Sequence, residues 1–303
     1  MVQDCTSSSQ PLWLQPETLW PKIRLQTQHA LECGSLQPIP TTYKWVEHNG
    51  IRFVVRILAN LQRKIAAKQA QSKTFNPFLP YDPHLFVTDL SPTHLVLLNK
   101  FNVMDHHLLI VTREFESQDD FLNAQDFQAL ALGLSEVDGL AFYNGGFKAG
   151  ASQPHKHMQI VPLPFVPDGS RLPLESLLLE NAVAEQAGAN PRLPFQHLVT
   201  RFEKLDFTQP KALSMDLLEV YRHLMGSLNL MSLDSTKPSP GAYNLLMTRE
   251  WMGIVPRSQD SYADIPINAL GFAGALLVRN KEQLAYLQEI GPLTVLQEVG
   301  CPA

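Results

Sequence analysis

Asn144-Gly145-Gly146-Phe147-Lys148-Ala149-Gly150-Ala151-Ser152-Gln153 runs directly into Pro154-His155-Lys156-His157-Met158-Gln159, followed by the apolar IVPLP of residues 160–164. The first part is a glycine-rich loop, and PHKHMQIVPLP reads as a strand. Alternate side chains of a strand share a face, so His155, His157 and Gln159 point one way while Lys156 and Met158 point the other. Two imidazoles and an amide beside an apolar run are not simple solvent surface. From the residues alone, three readings stand roughly level. A histidine pair on one strand face suits zinc. An imidazole nitrogen titrates near neutrality and can attack phosphorus. The group can also be a structural polar cluster. No acidic or cysteine ligand lies nearby in sequence, which counts against a metal. The loop ends directly at the histidines, which favours phosphate. Glycines let backbone N–H groups approach phosphate oxygens, and Ser152 adds a hydroxyl donor. Lys64 or Lys148 would neutralise outer phosphates.

Working outward, LAFYN upstream reads as a strand, and Ala124 to Val137 as a helix with Phe127, Leu130 and Leu134 at helical spacing. HLFVTDL, THLVLLN and HHLLIVT are strand-like. Asn49-Gly50 inside YKWVEHNGIRFVVRIL is a strong hairpin signal. A helix is expected from Pro16, with Leu19, Ile23 and Leu31 apolar and Gly34 as its stop. Downstream, helices are expected over 173–187, 212–230, 267–277 and 280–290, and paired strands in YNLLMT and MGIVP. Antiparallel-looking strands with segregated helices predict an α+β fold. Residues 1–40 are read as lead-in and helix, 41–165 as the catalytic domain and 166–303 as a second domain. The boundary rests on the Pro/Gly cluster at Pro162, Pro164, Pro167 and Gly169.

Composition excludes several classes. With 24 basic and 29 acidic residues the net charge is −5, which offers no broad basic surface for nucleic acid. No uncharged apolar run reaches the ~18 residues of a membrane span. MVQDCTSSSQ has neither the basic nor the apolar region of a secretory signal. Cys5, Cys33 and Cys301 are dispersed, so neither a disulfide framework nor a cysteine zinc site is expected, and a cytoplasmic location fits.

At the histidines the chain resembles a known family. HKHMQ is similar to the histidine-triad pattern His-x-His-x-His with glutamine in third place, a departure shared with the transferase branch. FNPFLPYDPHLFVTDLSPTHLVLLNKFNVMDHHLLIVTREFESQ resembles the N-terminal core of diadenosine tetraphosphate phosphorylases, also called ATP adenylyltransferases. GGFKAGASQPHKHMQ resembles their active-site segment, and YNLLMTREWMGIVPRS their C-terminal domain. The resemblance runs in order from about Trp45 onward.

The resemblance implies a histidine-triad-like antiparallel sheet with helices packed on it, plus a C-terminal domain that completes the sheet and the nucleotide cleft. It makes His157 the adenylylated nucleophile, His155 its orienting partner and Gln159 the amide that holds an α-phosphate oxygen. Asn144 and Gly150, Ala151, Ser152 and Gln153 match the phosphate-contacting loop, and Thr88 and Asp89 the ribose side. Lys64 matches a phosphate lysine. Asn244, Met252 and Arg257 are candidates for the second nucleotide half. The implied reaction is phosphorolysis of diadenosine tetraphosphate to ATP and ADP. It requires no obligatory cofactor and no protein metal site, with Mg²⁺ accompanying the polyphosphate. Implied partners are these nucleotides and phosphate, without nucleic acid or membrane, and a monomer is expected. A hydrolase, a sugar-nucleotide uridylyltransferase and a non-catalytic nucleotide-binding module are the alternatives. Away from this segment, His84 and His94 read as structural, and His106 and His107 as marking a strand edge.

Overall fold

The computed structural model describes residues 13–58, 76–166, 171–184, 186–231 and 241–303. Lys64 lies outside the described residues, as does most of the expected lead-in. Helix α1, Leu19–Glu32, buries Leu19, Ile23 and Ala30. Leu31, expected on the apolar side, is exposed instead. Strands β1 (Thr41–His48) and β2 (Ile51–Leu58) form the expected hairpin. Asn49 and Gly50 both take positive φ, at 54° and 72°, which is what a two-residue turn matched to strand twist requires.

Strands β3 (Phe86–Asp89), β4 (His94–Leu98) and β5 (Leu108–Thr112) follow, and all three coincide with the apolar runs. Helix α2, Ala124–Glu136, starts with a capping box in which Asn123 and Asp126 satisfy each other's backbone N–H groups. Strand β6 (Gly139–Gly145) leads into the glycine loop, and β7 (His157–Pro162) leaves it. The strand therefore begins at His157; His155 makes only an isolated bridge to Ser117.

The C-terminal half holds α3 (Glu175–Leu179), β8 (Leu198–Arg201), α4 (Ser214–Ser227), β9 (Tyr243–Met247) and β10 (Trp251–Pro256). A two-residue pair, β11 (Ser261–Tyr262) and β12 (Ile265–Pro266), follows. The chain ends in α5 (Ala269–Phe272), β13 (Ala275–Val278), α6 (Lys281–Ile290) and α7 (Pro292–Val299). Two expected helices are shorter than predicted. Residues 173–187 give only the five residues of α3. Residues 267–277 break at Gly274, which has φ +94° and lies too close to Pro173 to carry a side chain, and the chain then enters β13.

Eight strands form one antiparallel sheet in the order β3-β4-β5-β7-β6-β9-β10-β8, so an α+β fold is observed. The two halves meet inside this sheet, where β6 pairs with β9 and Asn144 faces Asn244. One face, bearing Met158, Ile160, Leu245 and Met247, packs on α2 and α4. The other face, bearing Phe142, Val161, Leu246 and Val255, packs on the C-terminal helices and on a three-stranded sheet β1-β2-β13. Strand β13 runs parallel to β2. The predicted alternation along β7 therefore holds: Met158 enters the helix-covered core, and the odd-numbered residues take the opposite face.

Candidate active site

The glycine loop is fixed by backbone geometry. Gly146 and Gly150 have φ +86° and +91°, and a Cβ at either would lie under 3 Å from Asp119 or from the Ile267 carbonyl. Only glycine combines that conformation with that approach. Gln118 staples the loop to β7. Its Nε2 donates to the carbonyls of Asn144 (2.9 Å) and His157 (3.2 Å), and its Oε1 accepts from the His157 N–H at 2.8 Å.

His157 is 4% exposed. Its Nδ1 lies 2.9 Å from the backbone carbonyl of His155, which can only accept. The proton therefore sits on Nδ1, and Nε2, left with the lone pair, meets no partner among the described residues. Burial pushes the His157 pKa down to about 4, a shift aided by neighbouring His155 and opposed by the Nδ1–H bond. The ring is thus neutral at physiological pH. Phe78 contacts both His157 and His155, with ring centroids 5.3 and 5.6 Å away.

His155 is fully committed. Its Nε2 meets the Thr112 carbonyl at 2.8 Å, and its Nδ1 accepts from Asn76 Nδ2 at 3.0 Å. Asn76 is oriented in turn by the Phe78 N–H, which donates to its Oδ1. Burial lowers the His155 pKa, against the backbone bonds to Thr112 and Glu114. His155 is therefore a support whose carbonyl orients the neighbouring imidazole.

Gln159 lines a hollow of about 530 Å³, together with Asn144, Gly150 and Ser152. His157 itself does not line it; Gln159, two residues along the same face, does. Gln159 is held by a relay that sequence reasoning missed. The Phe101 N–H donates to Asn99 Oδ1, which turns Asn99 Nδ2 toward His107 Nδ1 (3.2 Å). His107 then bears its proton on Nε2 and donates to Gln159 Oε1 at 2.8 Å. The NH₂ of Gln159 meets no acceptor among the described residues. The signal was present in HHLLIVT, but the partner sits fifty-two residues away.

Asn144 behaves similarly. Its Oδ1 accepts from Asn244 Nδ2 (2.8 Å) and from the Ala269 N–H (3.0 Å). Its own NH₂ meets no acceptor among the described residues and borders the hollow. Arg257 underlies this arrangement. It donates to Asn244 Oδ1 (2.6 Å) and to the carbonyls of Ala149 (3.2 Å), Val299 (3.0 Å), Gln259 (2.8 Å) and Ile267 (3.0 Å). Burial lowers its pKa to about 10, which leaves it cationic at neutral pH.

Other expected residues lie elsewhere. Met252 is a correction. Three residues before Val255 on a strand, it takes the opposite face and is buried in the core under α2 and α4. Asn244 and Arg257 brace the loop and line no part of the hollow. Thr88 and Asp89 sit on edge strand β3, where Lys22 donates to Thr88 and Arg113 pairs with Asp89. Ala151 and Gln153 continue the loop outside the hollow's lining, and Lys148 borders a smaller hollow with Asp119. The cations that line the main hollow are Arg56 and Arg279, neither anticipated from the sequence.

Residues 9–180 match the Ap4A phosphorylase N-terminal domain, and residues 191–302 match the ATP adenylyltransferase C-terminal domain. The chain belongs to the diadenosine tetraphosphate (Ap4A) phosphorylase family. Within it, diadenosine 5′,5‴-P1,P4-tetraphosphate phosphorylase 2 of Saccharomyces cerevisiae is 32% identical, over 74% of this chain and 75% of the relative. Protein APA1 of the same yeast is 30% identical over 68% of each. The crystal structure of yeast Ap4A phosphorylase Apa2 superposes with a TM-score of 0.77 at 26% identity, covering 95% of this chain and 96% of that one. Its complex with AMP gives 0.75 at 26% identity, covering 95% and 99%. The family resemblance and the α+β fold read from the sequence are both borne out.

Proposed function

We propose that this chain is a nucleotidyltransferase that carries out phosphorolysis of diadenosine tetraphosphate through an adenylyl-histidine on His157. The observation that carries the reading is the His157 ring itself. It is neutral, its proton is held on Nδ1 by the His155 carbonyl, and its Nε2 meets no partner among the described residues, while Gln159, two residues along the same strand face, lines the hollow.

In the first step Nε2 attacks an α-phosphorus, a P–N bond forms, and the P–O bond to the departing ATP breaks. In the second, a phosphate oxygen attacks the same phosphorus, the P–N bond breaks, and ADP leaves. Negative charge on the phosphoryl oxygens is met by the NH₂ groups of Gln159 and Asn144 and the Ser152 hydroxyl. Arg56 and Arg279 supply positive charge along the same hollow. Among the described residues the lining of that hollow holds no carboxylate, and in this reading Mg²⁺ arrives on the polyphosphate as part of the substrate. A glutamine amide cannot donate a proton as a general acid, which supports transfer over hydrolysis. The reading includes a cytoplasmic monomer with nucleotide partners and no nucleic acid, supported by the acidic charge balance and dispersed thiols. Among the described residues, no helix is long and apolar enough to cross a membrane.

The test is incubation with Ap4A with and without inorganic phosphate. Phosphate-dependent ATP plus ADP is expected, whereas AMP release without phosphate would identify a hydrolase. Substrate labelled in the α-phosphate should label the protein covalently, and His157→Ala should abolish that label. A label that survives in this variant overturns the assignment.

A further inference from the structure

We propose that His29, Cys33 and His84 form a surface site for a borderline transition-metal ion such as Zn²⁺, separate from the nucleotide hollow. His29 lies in the last turn of α1, and Cys33 follows as its C-cap, four residues on. That spacing puts both side chains on one side of the helix end. His84 comes from the short 3₁₀ turn Pro83–Leu85 that precedes β3. It is anchored at both ends: its N–H donates to Asp82 Oδ1 (2.9 Å), and its carbonyl accepts from Gln26 Nε2 (2.6 Å), one turn back along α1. One ligand atom from each of the three residues lies within 4.8 Å of the others. His29 Nε2 and His84 Nδ1 are 2.9 Å apart.

A tetrahedral zinc with bonds of about 2.0–2.1 Å to nitrogen and 2.3 Å to sulfur holds its ligand atoms roughly 3.3–3.7 Å apart. The imidazoles therefore need to open by only a few tenths of an ångström. All three residues are exposed, so an ion enters without disturbing the core and keeps a fourth position for water. Two imidazoles and a thiol suit zinc, cobalt or copper, while magnesium and calcium require oxygen donors. The carbonyl end of α1 adds a favourable negative dipole. In the ion-free arrangement one imidazole must carry a proton between the two nitrogens. The ion replaces that hydrogen bond, the ring proton moving to the imidazole's other nitrogen, and it holds the sulfur as thiolate. The occupied site would clamp the end of α1 to the segment that leads into the sheet's edge strand.

The test uses metal-stripped full-length protein titrated with Co²⁺ and then Zn²⁺. One equivalent of Co²⁺ should give a thiolate-to-cobalt charge-transfer band that Zn²⁺ bleaches. Cys33→Ser should remove the band, and His84→Ala should weaken Zn²⁺ binding more than about tenfold. Circular dichroism of both variants should match that of the parent protein, because the residues are exposed. The proposal is overturned if the parent binds no Co²⁺ at micromolar concentration. It is equally overturned if the band persists in Cys33→Ser, which would place the ion on another thiol.

Discussion

His107 donates from Nε2 to the side-chain oxygen of Gln159 at 2.8 Å, and this bond decides which end of the amide faces the hollow. Reversing the amide would set a carbonyl dipole against a phosphate. Gln159→Leu should lower kcat about 10²–10³-fold, the usual cost of losing one preorganised donor. His107→Phe should cost about tenfold or more with little change in KM, and the double variant should be no worse than Gln159→Leu alone. Steady-state kinetics on all three proteins measures this coupling. Additive losses would show that His107 acts on its own account.

The buried His157 ring predicts an unusual acid limb. Its pKa is pushed from 6.5 to about 4. The nucleophile therefore stays unprotonated through pH 5, and single-turnover adenylylation should not fall near pH 6.5 on its account. Stability changes in the same window. The unfolded chain takes up the proton near pH 6.5 and the folded one near pH 4, so stability falls as pH drops between these values, by about 3 kcal/mol in total. Urea unfolding of the parent and of His157→Asn, compared from pH 7 to pH 4, isolates this contribution.

Behind the site, Lys156 occupies the opposite face of the same segment. Its Nζ lies 2.6 Å from Glu116 and 3.4 Å from Asp126, whose other oxygen meets His94 at 3.0 Å. Burial alone would lower the lysine pKa, but Asp126 and Glu116 outweigh it and raise the value. Lys156→Met leaves the Asp126 carboxylate buried beside a histidine without its cation. A loss of about 3–5 kcal/mol is expected in chemical denaturation.

Gly150→Ala tests the loop. The residue sits at φ +91°, and a Cβ would come within 2.7 Å of the Ile267 carbonyl and 3.0 Å of Asn268 Cα. Both contacts are backbone, so the loop must shift. A destabilisation of about 1–3 kcal/mol and a larger loss of kcat than of folded protein are expected. Calorimetry with parallel kinetics separates the two effects.

The parts legible in the sequence are those whose cause is local. Asn49-Gly50 specified its hairpin because only certain residues accept two consecutive positive φ values. Strands β3 to β5 followed from apolar runs, and α2 from helical spacing and its cap. The alternation of His157 and Gln159 against Met158 followed from strand geometry alone. What escaped depends on distant partners. Gln118, Asn76 and His107 look like ordinary polar residues until folding brings them to the loop, to His155 and to Gln159. The family motif YNLLMTREWMGIVPRS makes Arg257 a candidate for the second nucleotide half, and the fold gives its guanidinium five protein acceptors that the motif does not reveal. Residues 267–277 read as one helix because both the α5 and β13 segments are apolar. A packing restriction at Gly274, set by Pro173 and Leu174 a hundred residues earlier, divides them.

The seam between β6 and β9 has a consequence for biosynthesis. Asn144 lies across from a residue one hundred positions later, and the loop it supports is braced from Arg257. A nascent chain that has emerged only through the histidine strand presents β6 as a bare sheet edge, open to unwanted pairing. Most of the polypeptide must leave the ribosome before that edge is covered, so catalytic competence should arrive late and all at once.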